Sequence, residues 1–233
     1  MTAQKATESR AERPRNPRGE GARLRGEILT AAAGILEGTQ SPAAITLRAV
    51  AREVRIATTS IYDHFRDRQA ILDALTAETY RELAAATAAA RREHTEPVPR
   101  LLAGCHAYVH FARERPHLYS LLFTTNALPG APAGSRPPND GGAFQQRGDP
   151  GATSFGALVD SVAACADAGD STSTDPFGDA VAIWAALHGY VTLRTGIPNF
   201  PWPPSDSTFE HLVLSLARIG DQEVTSQATG HSS

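Results

Sequence analysis

The sequence predicts an all-α fold. Apolar residues recur three and four positions apart in the patterned segments of the chain, which is the spacing of one buried helix face. Strand-like alternation of apolar and polar residues appears nowhere in the sequence. The one long interruption, residues 128–153, is rich in Pro and Gly, which break helices and strands alike, so we expect a mobile loop there.

Composition excludes several classes of protein. The chain has 233 residues, of which 41% are hydrophobic, enough for a packed core and too many for a wholly disordered chain. No apolar run reaches the roughly 18 residues of a membrane helix, and the first residues lack the pattern of a secretory signal. Two cysteines, Cys105 and Cys165, cannot form a disulfide framework. We therefore expect a cytoplasmic protein with no membrane partner.

Charge and composition divide the chain into four parts. Residues 1–20 are polar and basic, and we expect a disordered arm, followed by a small helical domain over residues 21–67. A larger helical domain follows over residues 68–220, and residues 221–233 form a polar tail that we expect to be disordered. Basic side chains exceed acidic ones in residues 1–93 and are outnumbered after them, so only the first part favours a polyanionic partner.

The hydrophobic spacing places each helix in order. The first four are predicted over residues 24–38, 47–54, 58–64 and 68–92, with Thr46 as the N-cap of the second. The others are predicted over residues 97–116, 117–127, 155–167, 176–195 and 209–219.

The predicted helix over residues 176–195 has apolar stripes on two faces, with small residues between them. A helix of this kind either lies deep in a monomer or packs against both its own core and a partner. Together with the last helix, it predicts a four-helix interface between two copies of the chain.

Two short helices joined by about four residues and followed by a long helix are typical of a helix-turn-helix. In that motif the second helix presents its first residues to base edges in the major groove. Residues 58–60 are Thr, Thr and Ser, small hydroxyl donors that suit this position, and Tyr62 and His64 are longer donors. Each residue alone also fits a cap or ordinary polar surface. Together with the basic charge balance, they favour DNA binding.

The stretch from Ile45 to Leu72, ITLRAVAREVRIATTSIYDHFRDRQAIL, resembles the DNA-binding signature of TetR/AcrR-type transcriptional regulators. The resemblance implies an all-helical homodimer with an N-terminal three-helix DNA-binding domain and a C-terminal domain for effector binding and dimerisation. It also implies that eight residues contact operator DNA at phosphates or in the groove: Thr46, Arg48, Thr58, Thr59, Ser60, Tyr62, His64 and Arg68.

Two positions depart from the pattern of that family. Arg55 stands in the turn where the family usually has Gly, and a left-handed conformation costs a non-Gly residue on the order of 1 kcal/mol, so we expect a slightly altered turn. Arg68 stands where Lys is common, and either side chain can contact phosphate. Further along, the stretch AIWAALHG over residues 182–189 resembles a subgroup with a C-terminal Trp…His-Gly (WHG-type) domain.

A metal site and an enzyme are the alternatives that the sequence raises for the C-terminal part. His106 and His110 are four residues apart on one predicted helix, a spacing that can hold zinc, but the sequence offers no third ligand nearby. No Ser-His-Asp or Cys-His order has supporting context, and no phosphate-binding Gly-rich loop follows a predicted strand. We expect no metal, no cofactor and no enzymatic activity.

Aromatic residues of the C-terminal part predict an effector pocket. An apolar pocket with a few polar anchors suits a moderately hydrophobic small molecule, although the same aromatics could simply pack the core. The candidate ligand-binding residues are Tyr108, Phe111, Phe123, Trp184 and His188.

The sequence therefore predicts a ligand-responsive transcriptional repressor that binds double-stranded operator DNA as a homodimer. The alternative is a helical small-molecule-binding protein or enzyme with no role on DNA. A DNA-binding protein without an effector is a third interpretation.

Overall fold

The computed structural model describes residues 21–124, 150–203 and 205–220. These ranges contain nine α-helices and one short 3-10 helix, and the only strand-like pairing in them is a single bridge between Ser171 and Ile219. The predicted all-α fold is confirmed. The helices belong to two compact units, divided between Thr76 and Ala77. No helix in the described ranges combines the length and apolar composition that a membrane crossing needs.

The first unit is a small helical bundle with its own core. It contains α1 (Gly21–Thr39), the 3-10 helix (Pro42–Ala44), α2 (Leu47–Val54), α3 (Thr58–Ile61) and the start of α4 (Arg68–Arg92). One apolar side chain or more from each of the α-helices is fully buried, and the largest of these are Ile28, Leu36, Val50, Ile61 and Ile71, with Ile45 from the segment before α2.

Both ends of α2 are set by local hydrogen bonds. Thr46 is the N-cap, and its Oγ accepts a hydrogen bond from the backbone N–H of Ala49 at 3.1 Å. At the other end Arg55 has φ 60° and ψ 45°, in the left-handed region, and the N–H of Ile56 donates to the carbonyl of Ala51 at 3.0 Å. Arg55 thus keeps the conformation that favours Gly, and the altered turn expected from the sequence is not found.

Helix α3 is shorter than predicted. It ends at Ile61, and residues 62–64 form a turn instead of a second helical turn. The N–H groups of both His64 and Phe65 donate to the carbonyl of Ile61 at 2.9 Å, which closes the chain tightly. The turn lets Phe65, 3% exposed, enter the core of the first unit close behind Ile61.

Arg68 ties the start of α4 to the segment before α2. Its Nε donates to the carbonyl of Ile45 at 2.7 Å, and its Nη2 donates to the carbonyl of Pro42 at 2.6 Å. These carbonyls lie at the 3-10 helix and directly after it, outside any α-helical ladder. The half-buried guanidinium therefore holds the segment that leads into α2.

The second unit is built from longer helices. They are the remainder of α4, then α5 (Pro97–Glu114), α6 (Pro116–Thr124), α7 (Pro150–Asp167), α8 (Pro176–Gly196) and α9 (Ser205–Leu216). Their shared core contains completely buried side chains from α5, α7 and α8 and from the turn after α9: Ala112, Val162, Cys165, Ala180, Ile183 and Ala217.

The beginning of α7 corrects the predicted loop. Residues 150–153 are the first helical residues of α7, where the sequence predicted the end of a loop over residues 128–153. Pro150 occupies the first position of the helix, where proline is tolerated because its missing N–H would have no helical partner. The rest of the predicted loop, the predicted arm over residues 1–20 and the tail over residues 221–233 lie outside the described residues.

A buried carboxylate joins the start of α8 to the turn after α9. Asp179 is 7% exposed and accepts hydrogen bonds from Ser173 Oγ at 2.6 Å and from Arg218 Nε at 3.1 Å. Helix α9 ends at Leu216, three residues before the end predicted from the apolar pattern, and Arg218 has φ 55° in the turn that follows. The pairing satisfies the buried charge and fixes the two helices of the second unit relative to each other.

We expect Arg68→Met to lower the free energy of unfolding by about 1–2 kcal/mol, because two backbone carbonyls lose charge-assisted hydrogen bonds. Urea denaturation followed by circular dichroism measures this change. Arg66→Met is the matched control, since Arg66 is exposed, pairs only with its neighbour Asp67 and should change stability by less than about 0.5 kcal/mol. Equal stability of the Arg68 variant and the parent would contradict the assignment.

Candidate functional site

Exposed polar side chains cluster at the beginnings of α2 and α3. Thr46 and Arg48 are exposed at the start of α2, and Thr59 is exposed in α3. Tyr62, in the turn directly after α3, is 56% exposed, which is high for a tyrosine of a small domain. These four of the eight predicted DNA-contacting residues lie on the surface of the first unit. Their hydroxyl and guanidinium groups are donors to phosphate oxygens and base edges.

The other predicted residues of this motif are less accessible. Thr58 and Ser60 are half-buried in α3. His64 is also half-buried, and its Cε1 lies 3.6 Å from the position that a Cβ on Gly21 would occupy. His64 therefore packs beside the first residue of α1, and its ring is only partly available to a ligand.

Arg68 has backbone partners that the sequence did not predict. The sequence predicted a phosphate contact, but the structure commits Nε and Nη2 of Arg68 to backbone carbonyls. The acceptors lie 23 and 26 residues earlier in the chain, so no local sequence signal could have indicated them. Exposed basic residues that the prediction did not select, Arg52 and Arg66, lie in the same unit.

Packing behind α3 fixes its position. Ile61 is fully buried, and the guanidinium carbon of Arg25 lies 4.8 Å from the centre of the Phe65 ring, a cation–π contact between α1 and the turn after α3. A helix of one turn has no stability of its own, so these contacts determine where its exposed side chains point. The starts of α2 and α3 and the turn after α3 thus form an exposed, donor-rich edge that is held in place by core contacts.

The second unit contains a cavity of about 290 Å³ between α4, α5, α6, α7 and α8. Its walls are almost entirely apolar or aromatic, which suits a hydrophobic ligand. The lining includes Tyr80 and Leu83 of α4, Leu101 and Tyr108 of α5, Phe123 of α6, Phe155 and Leu158 of α7, and Phe177, Trp184 and Leu187 of α8.

Three of the five predicted ligand-binding residues line this cavity. Tyr108, Phe123 and Trp184 belong to its wall. Phe111 is 8% exposed and belongs to the core of the second unit, outside the cavity lining. His188 is also absent from the lining and packs against Phe123 in a tilted arrangement, with 4.2 Å between the ring centres and 49° between the ring planes. Three of the predicted residues thus lie in the cavity wall, whereas Phe111 and His188 lie outside it.

A chain of hydrogen bonds runs behind the cavity wall. The hydroxyl oxygens of Tyr108 and Tyr119 are 2.8 Å apart, and Tyr119 Oη lies 2.8 Å from His188 Nδ1. Burial raises the pKa of Tyr108 to about 12 and raises that of Tyr119 further. Burial also lowers the pKa of His188, which favours a neutral imidazole. The three groups satisfy one another without a net charge.

Arg91, in the last turn of α4, was missed by the sequence analysis. It lines the cavity, and burial is the main cause that lowers the pKa of its guanidinium. Its Cγ lies 3.1 Å from the position that a Cβ on Gly104 would occupy, so a larger residue in α5 would displace the Arg91 side chain. The sequence showed only two adjacent arginines at a helix end, which is typical of a solvated surface.

The two histidines considered for zinc have separate partners. His106 Nε2 lies 3.3 Å from Glu210 Oε1, and His110 Nδ1 lies 3.3 Å from Glu114 Oε2. No group of three or more metal-ligating side chains occurs in the described part of the chain.

Comparison with known families decides the identity of the two units. Residues 28–75 match the family model described as bacterial regulatory proteins, tetR family, and residues 101–216 match the model described as tetracyclin repressor-like, C-terminal domain. Together the two matches cover more than two thirds of the chain. The chain belongs to the TetR family. It is a transcriptional regulator with an N-terminal helix-turn-helix and a helical C-terminal domain.

Solved structures share the TetR architecture. A protein of unknown function from Rhodococcus sp. RHA1 is 29% identical, with a TM-score of 0.65, and the match covers 83% of this chain and 91% of that one. A tetR-family regulatory protein from Rhodococcus RHA1 is 19% identical, with a TM-score of 0.62 and coverage of 84% and 98%. The TetR-family regulator PfmR from Thermus thermophilus is 16% identical, with a TM-score of 0.57 and coverage of 81% and 96%.

No curated protein sequence matches the chain. The likeness to the two less similar structures describes the fold and carries no ligand or operator with it. The subgroup with the Trp…His-Gly domain stays a prediction, as do the individual DNA-contacting and ligand-binding residues.

We expect both cysteines of this TetR-family protein to resist thiol reagents while it is folded. Cys105 and Cys165 are buried free thiols, and burial raises their pKa to about 12 and about 11. At about pH 8 neither forms the reactive thiolate, and reactivity should increase only as the pH rises towards these values. A colorimetric disulfide reagent should modify no thiol in the native protein and both in concentrated guanidinium chloride.

The variants Cys105→Ser and Cys165→Ser identify which thiol is responsible for any reaction. Fast modification of the native parent at about pH 8 would contradict the expectation.

Proposed function

We propose that the protein is a ligand-responsive repressor that binds double-stranded operator DNA as a homodimer. The observation that carries this proposal is the exposed, donor-rich edge formed by the starts of α2 and α3 and the turn after α3, with Thr59 and Tyr62 at its centre. A site of action on the chromosome implies a protein of the cytoplasm.

In the proposed complex α3 enters the major groove. Thr59 and Tyr62 then approach bases and the adjacent backbone, with Thr58, Ser60 and His64 at the margins of the contact. At the start of α2, the hydroxyl of Thr46 accepts from Ala49 and keeps its own proton for a phosphate oxygen, and Arg48 adds a charge. Arg68 acts by holding the segment before α2 in place.

The homodimer is proposed to form through α8 and α9. Ala185 and Leu193 are exposed on α8, and Leu193 is 50% exposed. Gly189 lies one turn from each of them, and a Cβ added there would meet nothing within 4 Å in its own chain. This face has space for a closely packed helix from a second copy, as the sequence predicted from its small residues. Two recognition helices then read two half-sites of one operator.

The proposed response is a population shift. A ligand in the cavity contacts α4 through Tyr80 and Leu83, while the first turn of the same helix carries Arg68 in the DNA-binding unit. A ligand that binds one conformer more tightly shifts the equilibrium by its difference in affinity. Operator release follows when the favoured conformer places the two recognition helices out of register with successive grooves.

We expect Tyr62→Ala to weaken specific operator binding by about 1–3 kcal/mol, because a groove contact is lost. Arg48→Ala should weaken binding to all sequences alike and lower the slope of log affinity against log salt by about one unit. Fluorescence anisotropy across a salt series measures both, with an operator defined by footprinting the region upstream of the gene.

Arg92→Ala is the matched control, because Arg92 is an exposed arginine outside the first unit and should leave affinity and salt slope unchanged. Full affinity of Tyr62→Ala for the footprinted operator would remove α3 as the recognition helix. Failure of the parent to bind any upstream fragment would favour a helical ligand-binding protein with no role on DNA.

We expect Gly189→Leu to convert the dimer to a monomer. A Cβ at position 189 meets nothing within 4 Å in its own chain, and a non-Gly residue favours the helix by about 0.8 kcal/mol, but the larger side chain blocks the approach of a partner helix. Sedimentation velocity measures the change. Gly34→Leu in α1 is the matched control, since an added Cβ there also meets nothing within 4 Å. A dimeric Gly189→Leu variant would place the interface elsewhere.

A further inference from the structure

We propose that the ligand of the cavity is a monoanionic amphiphile, with an apolar body among the aromatic walls and a carboxylate bound by Arg91. The inference rests on the proposed function, since it names the chemical class of the effector. It derives from three observations: the polarity of the walls, the position of Arg91, and a charged recess that adjoins the cavity.

The polar side chains of the cavity wall are largely committed to partners. Thr87 Oγ donates to the carbonyl of Ala84 at 3.1 Å, and Ser161 Oγ donates to the carbonyl of Ala157 at 2.8 Å. The hydroxyl of Tyr108 is bonded to that of Tyr119. Arg91 carries the only full charge among the described residues of the lining. A ligand with an apolar body therefore finds one strong polar partner there.

Arg91 is half-buried and makes no direct ion pair with a described carboxylate, although Asp160 is a favourable electrostatic neighbour. It makes no ion pair within 4.0 Å with any carboxylate in the described ranges, in contrast to Arg81, Arg115 and Arg218 of the second unit. Arg194 is also half-buried without a carboxylate partner among the described residues, but its Nη2 donates to the carbonyl of Pro203. Taking a guanidinium partly out of water is unfavourable unless a counter-charge offsets it.

A cation in the last turn of α4 interacts favourably with the helix dipole, and this interaction does not require Arg91 to be buried. Arg92 lies in the same last turn and complements the dipole while exposed to solvent. The position of Arg91 at the cavity is thus unexplained by the helix alone and is explained by a bound anion.

A second recess of about 270 Å³ adjoins the cavity and shares Arg91 and Ser161 with it. Its other lining residues include Arg100 of α5 and Asp160 of α7. Arg91 and Arg100 supply two positive charges and Asp160 supplies one negative charge, so the recess has a net charge of +1 that one anionic group would neutralise. A carboxylate fits this balance and the planar fork of a guanidinium, which binds carboxylates through two parallel hydrogen bonds.

The test compares decanoate with decan-1-ol, which has the same apolar chain and no charge. Isothermal titration calorimetry on the full-length protein gives both affinities, and the fluorescence of Trp184 in the cavity wall reports where the probe binds. The parent should bind decanoate at least about tenfold more tightly than decan-1-ol, and Arg91→Met should reduce this ratio to below about threefold by weakening decanoate alone.

Two variants control for charge and folding. Arg92→Met removes the same charge from the neighbouring exposed position and should keep the tenfold ratio. Arg91→Lys keeps a cation and should retain most of the preference, which also tests the site if the Met variant fails to fold. Equal affinities of the parent for the two probes, binding of neither probe, or an undiminished ratio in Arg91→Met would each overturn the inference.

Operator binding is measured on the same preparations. If the parent binds its operator but neither probe, the effector class is wrong and the regulator assignment stands. If the parent shows the ratio and loses it in Arg91→Met but binds no upstream DNA, the anion site stands and the proposed function fails.

Discussion

Helix α4 has to satisfy two packing environments with one continuous backbone. Its first half buries Ile71, Leu72 and Leu75 in the DNA-binding unit, and its second half supplies Tyr80, Leu83 and Arg91 to the cavity. At 1.5 Å per residue, its 25 residues extend for about 37 Å. Helix α4 is therefore the element that contributes residues to both units.

The DNA-binding unit shows how a very short element acquires a fixed position. Helix α3 has four residues and cannot be stable alone. Its position comes from the buried side chain of Ile61, from Phe65 under the guanidinium of Arg25, and from the left-handed turn at Arg55. None of these groups needs to contact DNA. Substituting one of these residues is therefore expected to destabilise the unit, and the displaced helix α3 would then weaken any contact with an operator.

Sequence pattern predicted the long-range architecture better than the individual contacts. The bounds of α2 and α4 follow from capping and apolar spacing, which are local properties, and they agree with the structure residue for residue. Helix α3 was predicted too long, because a burial pattern of two residues cannot distinguish one helical turn from two. The roles of Arg68 and Arg91 were not accessible, since both depend on partners in distant segments. Composition identified the aromatic candidates for the pocket. It could not show that Phe111 lies in the core and not in the cavity wall, because this depends on the direction of its side chain.

The hydrogen-bonded chain behind the cavity uses the hydroxyl protons of two tyrosines. With the proton of neutral His188 on Nε2, its Nδ1 accepts from Tyr119, and Tyr119 in turn accepts from Tyr108, so both hydroxyl protons are used within the chain. A ligand that needs a donor cannot obtain one from Tyr108 without breaking this sequence of bonds. The guanidinium nitrogens of Arg91 in α4 are the charged donors among the described residues of the lining. A ligand acceptor placed beside Tyr108 would go unpaired, which costs about 1–3 kcal/mol, whereas Arg91 can donate to such a group.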